Sequence, residues 1–406
     1  MQKKGDIRFF FILFVLLLAA APLKASAGPE LVGEAAVLLN VKNGQVLYEK
    51  NSRSGVYPAS TTKILTAVIA LEKGNLNDLV SITPEASNVE GSAIGLQAGE
   101  KVSLEDLLYA LMLNSGNDSA VAIARHVGGT VENFVAMMND KAAGLGALNT
   151  HFSNPNGLPD PGHYTTAYDM AIITRYAMQN PEFRKMVSTK VKIIHRDDAD
   201  AQTYLENHNR LLWNYEGAIG VKTGYTEEAR QCLVSAANRQ GRELIAVVMK
   251  SEGADIWEDT KKLLDYGFGE FYCLSLTEAG KHVDEVPVKF GVTRSVPVQT
   301  GNSLFYDFPL GQRPEVKQEA IFRDNLAAPV RAGEKMGELV FSAAGRELGR
   351  VDLLAQREVK RKLTAQWWPW FLLAVFLAVL LSIVRYHNRA RRAKWETYRN
   401  RYYYLK

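Results

Sequence analysis

Pro58-Ala59-Ser60-Thr61-Thr62-Lys63, followed at once by the apolar run Ile64 to Leu71, is the stretch on which the reading of this chain turns. The run is closed by Gly74 and predicts a helix with Ser60 at or near its first turn. There the backbone N–H groups are unpaired and the dipole favours a developing negative charge. Lys63 lies three residues on and shares a helix face with Ser60. An ammonium cannot accept a proton from a serine hydroxyl. Burial among apolar side chains, or a second cation such as Lys222, would lower its pKa enough to make it a base. Alone the pair reads equally well as an N-cap serine beside a solvated lysine, since a Ser-x-x-Lys is expected by chance about once or twice in a chain of this length.

Two later strings suit the same chemistry. Ser115-Gly116-Asn117 falls between two helical patterns, where a short polar loop can project Ser115 and Asn117 into a cleft. Ser115 can relay a proton between Lys63 and a leaving group, and Asn117 can accept from Lys63 and donate to a substrate amide. Lys222-Thr223-Gly224 ends a strand pattern; Lys222 supplies charge and Thr223 a hydroxyl for a terminal carboxylate, while Gly224 leaves room for a ligand to lie alongside. The amide N–H groups of Tyr225 and Ser60 can form an oxyanion hole. Locally, a helix–helix turn and a surface strand ending in a Gly turn would look the same. Their order gives the set its weight: a nucleophile with an amine base, a relay loop and a carboxylate-binding strand, as a serine acyl-transferase requires.

Around these motifs the patterning is that of an α+β fold. Asn43-Gly44 between Ala35–Leu39 and Gln45–Tyr48 predicts an opening β-hairpin. Helices follow at Leu104–Leu113, with Ser103 and Asp106 as a capping pair, at 120–127, at 134–143 and, capped by Thr166 with Asp169, through Met178, stopped by Asn180-Pro181. From Val191 the period becomes that of strands: Val191–His195, Ala218–Lys222, and a hairpin of Gln231–Ala237 with Leu244–Met249. A helix from Asp255 to Tyr266 comes next. This predicts helices sandwiched with one antiparallel sheet. Beyond Phe271, short alternating segments (Val286–Phe290, Ser295–Val298, Glu338–Phe341, Arg350–Leu354) predict a small all-β domain without a catalytic constellation.

The chain ends set the expected location. Lys3, Lys4 and Arg8, the apolar run Phe9–Ala21 and Ala25-Ser26-Ala27 read as a cleaved export signal. Trp367–Val384 is an apolar run with Trp367, Trp368 and Trp370 at its leading edge, and Phe371–Leu381 is apolar all round. Behind it Arg385, Arg389, Arg391, Arg392, Lys394, Arg399, Arg401 and Lys406 outnumber Arg357, Lys360, Arg361 and Lys362 on the other side. This predicts a single span of the cytoplasmic membrane with the tail inside and the body outside. The domains expected are 1–27 signal peptide, 28–272 catalytic, 273–362 all-β, 367–384 transmembrane helix and 385–406 basic cytoplasmic tail. Much of the basic excess in a chain with 48 Lys and Arg against 44 Asp and Glu sits in these ends, so no nucleic-acid partner follows. Cys232 and Cys273 make no disulfide framework, and Cys232 reads as a buried apolar residue. The seven histidines show no metal spacing, so neither a metal nor another cofactor is expected.

From Glu34 to about Gly267 the chain resembles the low-molecular-mass penicillin-binding proteins that are serine-type D-alanyl-D-alanine carboxypeptidases. The likeness extends to Tyr57–Lys63, Asn154-Pro155-Asn156-Gly157-Leu158, His163-Tyr164-Thr165-Thr166-Ala167, Asn209-Arg210-Leu211-Leu212 and Gly220–Thr226. The resemblance implies a penicillin-binding/β-lactamase-like catalytic sandwich, a following β-domain and C-terminal membrane attachment. It implies Ser60 as acyl-ester nucleophile, Lys63 as base, Ser115 and Asn117 as proton-transfer and substrate loop, and Lys222 with Thr223 as carboxylate grip. Peptidoglycan stem peptides are the implied substrates and β-lactam antibiotics the covalent inhibitors.

Two departures stand out: members usually attach through an amphipathic helix, and several carry an arginine after the strand following Lys-Thr-Gly, where this chain has Lys250-Ser251. A class A β-lactamase would share the triplet but needs a Glu-x-x-x-Asn loop, absent between Asn149 and Lys190. A non-catalytic membrane β-lactam sensor would need a cytoplasmic effector larger than the tail.

Overall fold

The computed structural model describes residues 28–196 and 201–403; the expected export signal lies outside the described residues. Contacts divide the chain into two units. The first runs to Leu274 and takes in Tyr306–Gln312, and the second comprises Ser275–Phe305 and the chain from Arg313 onward.

The first unit is built on a five-stranded antiparallel sheet. Its spatial order is Val46–Lys50, Ala35–Asn40, Arg242–Ser251, Arg230–Arg239 and Ala218–Thr226. Alternate residues of these strands enter two separate cores. Val37, Leu39, Val234, Ile245 and Val247 face the large helical cluster, whereas Ala36, Leu38, Leu233, Leu244 and Val248 pack under the C-terminal helix Asp255–Glu270. A sheet covered on both faces has no solvent side to keep polar, so its central strands read as nearly continuous apolar runs instead of alternating ones.

Helix Lys63–Lys73 runs through the larger core. Every residue from Lys63 to Ala70 is buried. Around it lie Leu104–Leu113, Asn117–Gly128, Val131–Gly144 and Ala167–Ala177. Two predicted caps form: Ser103 Oγ accepts from Asp106 N–H at 3.1 Å, and Thr166 Oγ1 from Asp169 N–H at 3.0 Å. Each such cap contributes about 1 kcal/mol.

Three local expectations are corrected. Val191–Ile193 pairs with Tyr204–Glu206 in a separate ribbon and does not join the main sheet. Asn180-Pro181, read as a stop, also starts a helix, Pro181–Ser188: the Asn180 side chain accepts from Glu182 N–H, and proline at a first helical position loses no intrahelical bond. Lys222-Thr223-Gly224 lies inside its strand, which continues to Thr226. Cys232 is buried as expected, and Cys232 and Cys273 are both free.

In the second unit a five-stranded antiparallel sheet is ordered His282–Pro287, Ser295–Thr300, Arg346–Ala355, Lys335–Ala343 and Val316–Phe322. The strand Val316–Phe322 was not read from the sequence because Lys317, Gln318 and Glu319 stand together and break the apolar alternation. The chain then enters one helix, Trp367–Tyr403, which continues past the apolar run into the basic segment. Its part Trp367–Asn400 has a mean hydropathy of 2.2 over its most apolar stretch and is long and apolar enough to cross a membrane.

Candidate active site

Ser60 sits in a short 3-10 turn, Ala59–Thr62, that leads directly into helix Lys63–Lys73. Ala59 has a φ of +47°, so the chain doubles back sharply before Ser60. Lys63 Nζ is fully buried and has three partners: Ser60 Oγ at 2.9 Å, Asn117 Oδ1 at 2.6 Å and the Asn156 carbonyl at 2.6 Å. Two of the three can only accept. As a neutral amine, Lys63 therefore gives its two N–H bonds to Asn117 and Asn156, and its lone pair is left for the Ser60 hydroxyl.

The electrostatics favour that neutral form. Burial pushes the Lys63 pKa well below the ordinary lysine value, the charge of Lys222 pushes it further, and Asp118 opposes them more weakly. Desolvating an ammonium costs several kcal/mol, and the three contacts are all neutral dipoles that return only part of it. Lys222 is buried too, 1% exposed, and desolvation lowers its pKa to about 7. Its ammonium donates to the Thr223 carbonyl at 3.0 Å.

The sheet edge closes on Ser60. Gly224 belongs to the outermost strand, and a Cβ placed there would lie 3.0 Å from Ser60 N and 3.1 Å from Ala59 Cβ. Only glycine lets the strand approach the turn this closely, which sets the Tyr225 backbone next to the Ser60 backbone. Ser60, Ser115, Thr223, Gly224 and Tyr225 line one cleft of about 490 Å³, together with Ser92, His208, Arg210 and Trp257. Ser115 has a φ of +63°, a strained setting for a serine. Asn117 Nδ2 donates to the Glu90 carbonyl at 2.6 Å, so one of its two amide N–H groups is already committed.

Sequence patterning alone missed a loop. Residues 154–158 enter the sequence reading only through the family resemblance, yet they carry the carbonyl that holds Lys63. Asn154 Oδ1 accepts from Gly157 N–H at 2.7 Å, Asn154 Nδ2 donates to the Leu158 carbonyl, and Thr66 Oγ1 donates to the Pro155 carbonyl at 2.6 Å. His163 braces the far side. Its Nδ1 accepts from Ser153 N–H at 3.1 Å, which leaves Nε2–H to donate to Thr62 Oγ1 at 2.9 Å. The ring is neutral, its pKa lowered to about 4, mainly by burial.

The sequence motifs give Arg210 no role. Its guanidinium lines the cleft 5.8 Å from the Trp257 ring, and it makes no hydrogen bond or ion pair among the described residues. The neighbouring Lys250-Ser251 is otherwise engaged: Lys250 pairs with Glu34 at 2.6 Å, and Ser251 donates to Asp259. Among the described residues, no three His, Cys, Asp or Glu side chains cluster as a metal site.

The chain matches two family models, D-alanyl-D-alanine carboxypeptidase over residues 23–253 and penicillin-binding protein 5, C-terminal domain, over residues 271–361. It is 36% identical to D-alanyl-D-alanine carboxypeptidase DacF of Bacillus subtilis, over 82% of this chain and 87% of that protein. It is 33% identical to D-alanyl-D-alanine carboxypeptidase DacA of Haemophilus influenzae, over 86% and 90%. The crystal structure of penicillin-binding protein 5 from Haemophilus influenzae superposes with a TM-score of 0.75 at 32% identity, covering 83% of this chain and all of that one. With a buried lysine amine aimed at a serine beside a glycine-opened sheet edge, and with these likenesses spanning both units, the chain belongs to the D-alanyl-D-alanine carboxypeptidases of the serine peptidase S11 family.

Proposed function

We propose that this carboxypeptidase removes the terminal D-alanine of peptidoglycan stem pentapeptides through an acyl ester on Ser60, within a catalytic domain of residues 28–272. The observation that carries the reading is the buried Lys63 amine, 2.9 Å from Ser60 Oγ, with its other two partners obligate acceptors. Lys63 takes the Ser60 proton as Oγ attacks the penultimate D-alanine carbonyl. The oxyanion is met by the Ser60 and Tyr225 amides. The peptide nitrogen then takes a proton through Ser115, D-alanine leaves, and water attacks the ester with Lys63 again as base. The departing carboxylate is held by Thr223 and the charge of Lys222, joined by Arg210, the cation that lines the cleft without a hydrogen-bonded partner. Replacing Arg210 with alanine is expected to raise KM for the peptide with a smaller effect on kcat.

β-Lactams acylate the same serine, and their esters persist. A β-lactamase needs a base for deacylation. In the loop of residues 154–166, Asp160 is exposed and bonded to Ser153 Oγ and Gly162 N–H, while both nitrogens of His163 are engaged. Neither lines the cleft that holds Ser60, and the Gly162 N–H and Ser153 hydrogen bonds hold the Asp160 carboxyl below its usual range, which makes it a weaker base. One preparation assayed with penicillin and with a diacyl-Lys-D-Ala-D-Ala tripeptide is expected to turn over the peptide while penicillin yields a lasting adduct. Rapid penicillin turnover without D-alanine release would favour the β-lactamase reading instead.

The C-terminal helix is proposed to cross the cytoplasmic membrane once over residues 367–384, with the basic tail of residues 385–406 inside and both the catalytic domain of residues 28–272 and the all-β domain of residues 273–362 outside. Its hydropathy and the excess of basic residues after Val384 support this. The full chain should resist alkaline carbonate washing, and protease added outside intact cells should spare the tail. Release by carbonate would mean that the helix only lies on the surface.

A further inference from the structure

In the second unit two segments are joined edge to edge. Val292 N–H donates to the Lys360 carbonyl at 2.8 Å and Lys362 N–H to the Phe290 carbonyl at 2.8 Å, around a bridge between Gly291 and Arg361. The pairing gathers three large apolar side chains that are left in solvent: Phe290, 56% exposed, Val292, 63%, and Leu363, 63%. Phe290 also has a φ of +60°, a conformation that bulky residues rarely adopt, so an aromatic ring is held outward against backbone preference. Arg361 lies 5.5 Å from that ring.

The surrounding charge has one sign. Residues 287–295 and 356–366 carry Lys289, Arg294, Arg357, Lys360, Arg361 and Lys362 against Glu358 alone. The patch is continuous with the apolar helix. Leu363 is followed four residues later by Trp367, and Trp370 Nε1 donates back to the Thr364 carbonyl at 2.8 Å, tying the first helical turn to the same segment. Exposed Trp367, Trp368 and Trp370 are the residues that settle at a headgroup boundary.

We propose that this patch is a second membrane contact, in which Phe290, Val292 and Leu363 enter the headgroup layer of the leaflet that the helix crosses and Lys360, Arg361 and Lys362 engage phosphates of anionic lipids. The inference rests on the reading of the helix as a membrane span. Apolar tips ringed by cations match an anionic interface in both chemistry and charge. The contact gives the second unit a fixed footing on the bilayer, which one flexible tether would not.

The test uses the full chain carrying Cys273→Ser, reconstituted in vesicles of phosphatidylethanolamine and phosphatidylglycerol, with one added cysteine bearing an environment-sensitive fluorophore. Val292→Cys reports the patch. Arg346→Cys reports the hairpin tip at the other end of strand Arg346–Ala355, and Val379→Cys reports the apolar helix. Emission from position 292 should shift to the blue and be quenched by lipids with a shallow quencher, position 346 should stay solvent-like, and position 379 should be quenched by a deep one. Exchanging phosphatidylglycerol for phosphatidylcholine should weaken quenching at 292 but not at 379. Quenching at 379 with 292 as wet as 346 would overturn the second contact and leave the span standing. A solvent-like 379 would overturn both. A blue shift at 292 that persists in detergent and grows with protein concentration would assign the patch to a second copy of the chain. Quenching indifferent to phosphatidylglycerol would remove the anionic-lipid assignment.

Discussion

Replacing Lys63 with arginine is expected to lower acylation by about 10⁴-fold or more, both for peptide and for penicillin, because a guanidinium stays protonated at any pH the protein survives. The loss of the base acts on the rate of acylation, separately from any loss of stability. Asn117 Oδ1, the Asn156 carbonyl and Ser60 Oγ return only part of the desolvation cost of a permanent cation, so a fall in stability accompanies the loss and the rates are read on protein shown to be folded. In the unchanged chain, acylation rises with pH as the Lys63 ammonium loses its proton. Because burial and Lys222 depress that pKa, the rise falls well below the usual lysine range. The arginine variant should show no such rise. Acylation rates from penicilloyl-adduct formation in a pH series are the measurement; near-normal rates for the variant would remove Lys63 from the role of base.

Gly157→Ala is expected to cost about 10²-fold in activity although residue 157 bears no reactive group, comparable to a 1 Å displacement of a catalytic group. Its φ is +91°, and a Cβ would stand 1.9 Å from the Ala59 carbonyl oxygen and 3.0 Å from Ser60 N. Something must move, and the choices are the turn that presents Ser60 or the loop that presents the Asn156 carbonyl to Lys63. Either motion breaks the three-partner arrangement around Nζ. The adverse backbone conformation adds about 1–2 kcal/mol, so a fall in Tm should accompany the loss. kcat for D-alanine release, measured on protein shown to be folded, checks this. An unaltered kcat would mean that the loop does not set the Lys63 geometry.

The parts of this site that were legible in the sequence are those written into side-chain type and order. Ser60 and Lys63 share a helix face because three residues make most of a turn, and Gly224 announced a close approach of backbone because glycine in a strand has few other uses. The opening hairpin followed from Asn43-Gly44, and the caps at Ser103 and Thr166 from their spacing to Asp106 and Asp169. What stayed hidden depends on backbone atoms and on distance along the chain. The Asn156 carbonyl carries no side-chain signature, and its meeting with Lys63 spans 93 residues. His163 and Thr62 are 101 residues apart. Arg210 was unreadable for another reason: nothing local distinguishes a helix-capping arginine from one lining a cleft. The strand end was misplaced at Lys222 because Thr223, Gly224 and Tyr225 break the apolar pattern, yet the ladder to Arg230–Arg239 continues through all three.

The central claim is that one serine, activated by one buried amine, carries the acyl group. Intact and peptide mass spectrometry of the protein after incubation with penicillin, on the unchanged chain and on Ser60→Ala, tests it most directly. The unchanged chain should gain the mass of one intact penicillin on the peptide containing Ser60. The variant should gain none and release D-alanine about 10⁶-fold more slowly. A penicilloyl adduct on Ser60→Ala, or on Ser115 in the unchanged chain, would contradict the account.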